Sequence, residues 1–176
     1  LAWVGPLLLV SGLYAAAGSA DMVEAGIVIL GGTSGGIAAA VQARRMGRTV
    51  VIAEWSQHLG GLTTGGLGAT DIGNKGAIGG IAREFYETIA AHYENPAAWK
   101  WEEQKKSAAL GSGQERGADP LVATTGRATK WTFEPHVAMA IYRRWLADAG
   151  VTVQFGQRLK SVKKDGPRLV EFTTET

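Results

Sequence analysis

The chain alternates between short, wholly apolar runs and longer stretches in which apolar side chains recur every three or four positions. Ala25 to Leu30 is a continuous apolar run ending in Gly31-Gly32. A run of that length, bounded by glycine, reads as a strand buried on both faces, the pattern of a parallel sheet. Gly35 to Met46 then has helical spacing, and its Ala38-Ala39-Ala40-Val41 stretch is small enough to lie close on a sheet. Arg44 and Arg45 oppose the negative end of that helix dipole, and Gly47 suits a left-handed cap. Thr49 to Ala53 is a second apolar run, closed by Glu54. Strand, tight helix and strand within about 30 residues predict a right-handed βαβ unit.

Helical spacing returns through Ile81, Phe85, Ile89 and Tyr93, with Pro96 beyond it, and again over Pro135–Ala149 through Val137, Ile141, Trp145 and Leu146. Val151, Val153 and Phe155 alternate as a strand. Leu159–Lys163 and Leu169–Thr173 flank Asp165-Gly166, a hairpin signal blurred by Pro167. Trp99–Leu110 reads as a polar helix followed by a Gly/Ser/Thr-rich loop to Thr129. Between Gly60 and Gly80, nine of 21 residues are glycine, too many for a regular element. The fold class expected is α/β, a Rossmann-like dinucleotide-binding domain with a central parallel sheet and a β-hairpin or meander, incomplete at this length.

Composition narrows the chemistry. Glycine makes up 25 of 176 residues, roughly twice ordinary usage, without a triplet period. The absence of cysteine excludes a disulfide scaffold, a thiolate metal site and a cysteine nucleophile. His58, His92 and His136 lack metal-binding spacing, so no metal is expected. A formal charge of +2 gives no reason to expect nucleic acid. Residues 1–20 are uncharged, Leu/Val-rich around Leu7–Leu13 and small from Ala15 to Ala20. That order matches the apolar and cleavage regions of a secretory signal, against the alternative of a membrane anchor. The expectation is export to the periplasm or medium, no stable membrane span after signal removal, and residues 21–176 as the N-terminal part of a larger domain.

The glycine turn Gly31-Gly32-Thr33-Ser34-Gly35-Gly36 falls between the first strand and its helix. There the free amides and the helix dipole favour an anion, and missing side chains let a pyrophosphate approach. Glu54, 23 residues after Gly31, closes the second strand, where a carboxylate can accept hydrogen bonds from both ribose hydroxyls and repels a 2′-phosphate. The bland alternative is a glycine-tight turn beside an exposed Glu. Thr33 stands where the usual fingerprint has its middle glycine, so its hydroxyl is expected to turn toward the phosphate or shift it outward.

These residues carry a resemblance. The runs "IVILGGTSGGIAAAVQARRMG", "VVIAEWSQHLGGLTTGGLGATDIGNKGAIGGIAREFY" and "WTFEPHVAMAIYRRWLADAGVTVQFGQRL" are similar to the N-terminal part of FAD-dependent oxidoreductases with the glutathione-reductase-like Rossmann fold. The resemblance is strongest to an exported bacterial branch sometimes labelled xanthan lyase-like, and it covers most of residues 25–160. It implies FAD as cofactor, with Gly60-Gly61 continuing the site toward the flavin. Bare amides there can follow an extended ligand, and the Thr63 and Thr64 hydroxyls can reach its polar atoms. His58 would lie near the flavin. The resemblance also implies that the backbone at Arg158 and Leu159 meets the adenine.

No catalytic acid or base stands out; Asp71 and Lys75 face a substrate or anchor their own loop. Trp99 and Trp101 suggest sugar stacking or, more plainly, aromatic packing. The function expected is an FAD-dependent oxidoreductase acting on a small molecule, with carbohydrate among the candidate substrates and the oligomeric state open. Two alternatives stand beside it. One is a carbohydrate-associated or polysaccharide lyase-like protein with a structural dinucleotide. The other is an NAD-dependent dehydrogenase, whose short-chain class needs a Tyr-x-x-x-Lys that no tyrosine here supplies.

Overall fold

The computed structural model describes residues 22–101, 103 and 118–176. The leader, most of the expected Trp99–Leu110 helix and the first part of the loop after it lie outside the described residues. Strand β1 (Ile27–Leu30), helix α1 (Ser34–Arg45) and strand β2 (Val50–Glu54) form the expected βαβ unit. β1 pairs with β2 in parallel, Ile27 opposite Val50 through Leu30 opposite Ala53. Strand β3 (Thr152–Phe155) adds in parallel to the other side of β2, giving the order β1-β2-β3. Glu54 is thus the last residue of the central strand, one position beyond the apolar run.

Helix α2 (Gly80–Glu94), a one-turn helix α3 (Val122–Thr125) and helix α4 (Pro135–Asp148) complete the helical part. α4 packs on both α1 and α2. The core lies between these helices and one face of the sheet: Ile37, Ala40 and Val41 from α1, Ile89 from α2, and Val137, Ile141 and Leu146 from α4 close on Val50 and Ile52, with Ile27, Ile29 and Val153 alongside. Phe85 stacks on Tyr142 with centroids 4.8 Å apart, and meets Phe133 and Trp145 edge-on. Small residues on α1 are what allow this approach. On the opposite sheet face Val28 and Leu30 stay 42% and 53% exposed.

The predicted hairpin forms as β4 (Arg158–Asp165) and β5 (Arg168–Glu175), antiparallel, with Asp165 opposite Arg168. Gly166, at φ +57°, and Pro167 make the two-residue turn, so the proline sits outside the paired residues, and the ladder shifts register between Leu159 and Ser161 and between Lys163 and Lys164. The glycine-rich stretch from Gly60 to Gly80 is less featureless than expected, since it holds two short 3-10 helices, Gly61–Thr64 and Lys75–Ala77. It is tied to the segment before α4, where Thr70 donates to the Trp131 carbonyl (3.0 Å) and Phe133 to the Gly68 carbonyl (2.8 Å).

Ion pairs bind the helices together. Arg45 makes a two-pronged pair with Glu84 of α2, at 3.0 and 2.7 Å. Arg44 donates to the Ala149 carbonyl at 2.8 Å, joining the end of α1 to the end of α4. Arg83 is buried; it donates to Asp119 at 2.9 Å and lies 3.2 Å from Glu87. Asp119 also accepts from the Thr129 hydroxyl at 2.7 Å. Removing one partner of a buried pair strands the other charge, at a cost of about 3–5 kcal/mol. Arg83, however, keeps Glu87 when Asp119 is removed, so Asp119→Ala is expected to lose about 1.5–3 kcal/mol in urea unfolding, whereas Glu84→Ala, on an exposed pair, is expected to lose under about 1 kcal/mol.

Candidate functional site

The C-terminal ends of β1 and β2 and the loop after β2 converge on one place. Gly31, at φ +95°, still donates to the Ala53 carbonyl at 2.8 Å and bends the chain off the sheet. A side chain there would be strained. Gly36 is needed for a different reason. A Cβ on it would fall inside the contact radius of the Gly31 carbonyl oxygen, so only glycine lets the helix start this close to the strand. Thr33 is the N-cap of α1, its hydroxyl accepting from the Gly36 amide at 3.2 Å. The hydroxyl expected to face a phosphate is thus engaged in capping.

Glu54 is buried, 4% exposed, and accepts three hydrogen bonds from the protein. Its Oε2 accepts from the Gly32 amide at 2.6 Å. Its Oε1 accepts from the Ser56 amide at 2.7 Å and the Ser56 hydroxyl at 2.6 Å. Burial alone would raise its pKa; the bonds from Ser56 and Gly32, with His58 nearby, outweigh that and hold it below the usual carboxylate range. The bland reading, an exposed Glu beside a tight turn, is overturned by this burial. Gly31, Gly32 and Gly36 thus spend their amides on the Ala53 carbonyl, the Glu54 carboxylate and the Thr33 hydroxyl.

The Gly60 loop lies directly on the turn. Gly60 donates to the Gly32 carbonyl at 2.7 Å, and Thr33 and Gly60 form a parallel bridge. Gly60 sits at φ +92°. Gly61 lies against Thr33. The Thr64 hydroxyl, expected to reach a ligand, is turned inward instead. It bonds the Leu59 carbonyl and meets His58 Nε2 at 2.8 Å, so Thr64 and His58 shape the loop from within. Thr63 instead opens on a cleft of about 240 Å³ with Ser34, Gly35, Tyr142 and Phe85. Burial pushes the Tyr142 phenol up to about 12, leaving a neutral hydroxyl near Thr63 and Ser34. A larger cleft of about 520 Å³ lies away from the turn, beside Glu87 and Arg127.

On the far side of Glu54, the chain entering β4 comes alongside. Gln157 donates to the Glu54 backbone carbonyl at 2.9 Å, which brings the start of β4, at Arg158 and Leu159, just beyond the end of β2. The other singled-out residues lie elsewhere. Lys75 is buried. Trp99 packs on Tyr93 with centroids 5.1 Å apart, while Trp101 is 86% exposed, so the two do not form a platform. Among the described residues, no three His, Asp or Glu side chains gather as a metal ion would require, and no helix is long and apolar enough to cross a membrane. Ser56 was missed from sequence. Its only signal was a hydroxyl two residues after the acid, where Ser commonly bonds its neighbours' backbone.

The bare backbone tests whether an adenine dinucleotide fits. A Cβ on Gly31 or Gly35 meets nothing nearer than Thr33 at 3.9 Å, so these two glycines border open space. Open space before a helix N-terminus, a carboxylate beside it and a glycine loop along it suit such a ligand. Gly36→Ala is expected to cost about 1–3 kcal/mol in thermal or urea unfolding, and Gly35→Ala to stay within about 0.5 kcal/mol. Glu54, Glu84 and Asp119 all have lowered pKa values, Glu84 chiefly through the Arg45 hydrogen bond, and the other two through hydrogen bonds that outweigh burial. Their stabilisation is complete above the unfolded-state values near about 4 and is lost as pH falls through the lower folded values. The urea midpoint is expected to hold from pH 7 to about 5 and to fall below about 4, with a smaller fall in Glu54→Gln.

A family model described as FAD dependent oxidoreductase matches residues 26–176. Among solved structures, a 3-ketosteroid-delta4-(5alpha)-dehydrogenase from Rhodococcus jostii RHA1 is similar at 16% identity and TM-score 0.50, covering 92% of this chain and 44% of that one. An L-amino acid deaminase from Proteus vulgaris is similar at 17% identity and TM-score 0.50, covering 89% and 45%. A comparison with curated protein sequences finds no match. The chain spans less than half the length of these two solved structures, and at such identities the likeness is one of fold. With the match extending over the strand, glycine turn, helix and acid described above, the chain belongs to the FAD dependent oxidoreductase family.

Proposed function

We propose that the whole protein is a flavoenzyme that oxidises or reduces a small molecule, and that this chain holds the adenosine and pyrophosphate half of FAD. The observation that carries the reading is the junction of three segments at Glu54: Gly32 bonds the carboxylate, and Gly60 bonds Gly32. The pyrophosphate would lie across Gly31–Gly36 at the positive end of α1. Glu54 would receive the ribose, with the Arg158 and Leu159 backbone toward the adenine. The flavin side would run along His58, Gly60, Gly61, Thr63 and Thr64. Of that last group, Thr63 lines the cleft; Thr64 and His58 contribute the shape of the loop.

FAD supplies the electron-accepting chemistry when bound; the residues of this chain bind and orient it. No residue of this chain is assigned a catalytic role. Carbohydrate is the substrate class to test first, because the sequence runs most resemble the xanthan lyase-like branch. Residues 1–20 support export, with residues 21–176 as the first part of the FAD domain.

Purified full-length protein should be yellow, and bleach when its reductant is supplied. Glu54→Gln removes a charged acceptor and is expected to weaken FAD binding about 10-fold or more, measured by flavin fluorescence titration. Absence of oxidised-flavin absorption even after FAD is added would sink the reading.

A further inference from the structure

Glu54 has more hydrogen-bond partners than a ribose-binding role leaves room for. An ionised carboxylate offers about four lone-pair directions. The Gly32 amide takes one on Oε2, and the Ser56 amide and hydroxyl take two on Oε1. One direction remains on Oε2, whereas a ribose brings two hydroxyl donors. The two amides are fixed by the turn and the strand end. The Ser56 hydroxyl is not. Its oxygen is held at 3.0 Å by the His58 amide, and the His58 carbonyl lies 3.2 Å away as a second acceptor. The oxygen can therefore stay in place while its proton turns from Glu54 to His58.

We propose that the Ser56 hydroxyl stands in for one ribose hydroxyl: it donates to Glu54 Oε1 in the free protein, turns to donate to the His58 carbonyl when adenosine binds, and keeps donating to Glu54 when a ligand lacks that hydroxyl. The proposal rests on the reading that Glu54 receives the ribose. Its consequence concerns selectivity. A buried carboxylate left without a donor rejects the deoxy ligand strongly. With Ser56 filling the gap, loss of that ribose hydroxyl is cushioned.

The test uses the full-length protein freed of flavin, titrated calorimetrically with ADP, 2′-deoxy-ADP and 3′-deoxy-ADP. Wild type is expected to prefer ADP by less than about 5-fold over at least one of the deoxy ligands. In Ser56→Ala that same preference rises to about 10-fold or more, and Ser56→Thr, which keeps the hydroxyl, restores the wild-type ratio. A merely structural role for Ser56 would weaken all three ligands together and leave the ratios unchanged, which overturns the proposal. If Ser56→Ala does not fold, wild type decides alone: discrimination of 10-fold or more against both deoxy ligands overturns it. Glu54→Gln separates the two failures. If that change leaves ADP affinity untouched, the ribose reading itself falls and takes this proposal with it; if ADP binding depends on Glu54 but the ratios ignore Ser56, only the proposal falls.

Discussion

The Glu54 carboxylate sits where three chain segments meet, and its charge survives burial because two of them lend it donors: Gly32 from the turn and Ser56 from its own loop. Gly60, in the same loop as Ser56, ties that loop to the turn through the Gly32 carbonyl. An isolated buried carboxylate would cost several kcal/mol, so each donor is as necessary to the acid as the acid is to them. The arrangement is mutual. The turn holds its course because its second amide is bonded to Glu54, and the following loop holds its course because it is bonded to the turn.

Glycine has two distinct tasks around this junction. Gly31 and Gly35 border open space, where a side chain would stand in the way of a ligand. Gly36 and Gly60 face inward, where a side chain would collide with the Gly31 carbonyl and with Thr64. The first task concerns what approaches the protein, the second how closely the protein approaches itself. Helix α1, pulled tight to β1 by Gly36, brings its first turn beside Thr63 and Tyr142, and the cleft between them follows from that closeness.

Much of this was legible in the chain. Uninterrupted apolar runs give β1 and β2, but only β2 is central and shielded on both faces; β1, expected to be buried on both faces, lies at the edge and keeps Val28 and Leu30 half-exposed. Periodic stripes give α2 and α4, and Asp165-Gly166 gives the hairpin. What escaped has physical reasons. Thr33 was read against a glycine fingerprint, although a threonine just before a helix is also a cap signal. The two 3-10 turns in the glycine loop carry no apolar period to read. Arg83 and Asp119 are 36 residues apart, and no local pattern announces their pairing. Ser56 looks like any loop serine until the fold brings Glu54 and His58 to its hydroxyl.

Strand β1 pairs only with β2 among the described residues, and its outward face carries Val28 and Leu30. An open edge with a row of unused amides and carbonyls is a template for another strand. A molecule limited to these residues would therefore carry an adhesive border next to the glycine turn. Concentration then becomes a variable in any experiment on it, since copies joined edge to edge would bury the very strand from which the glycine turn departs.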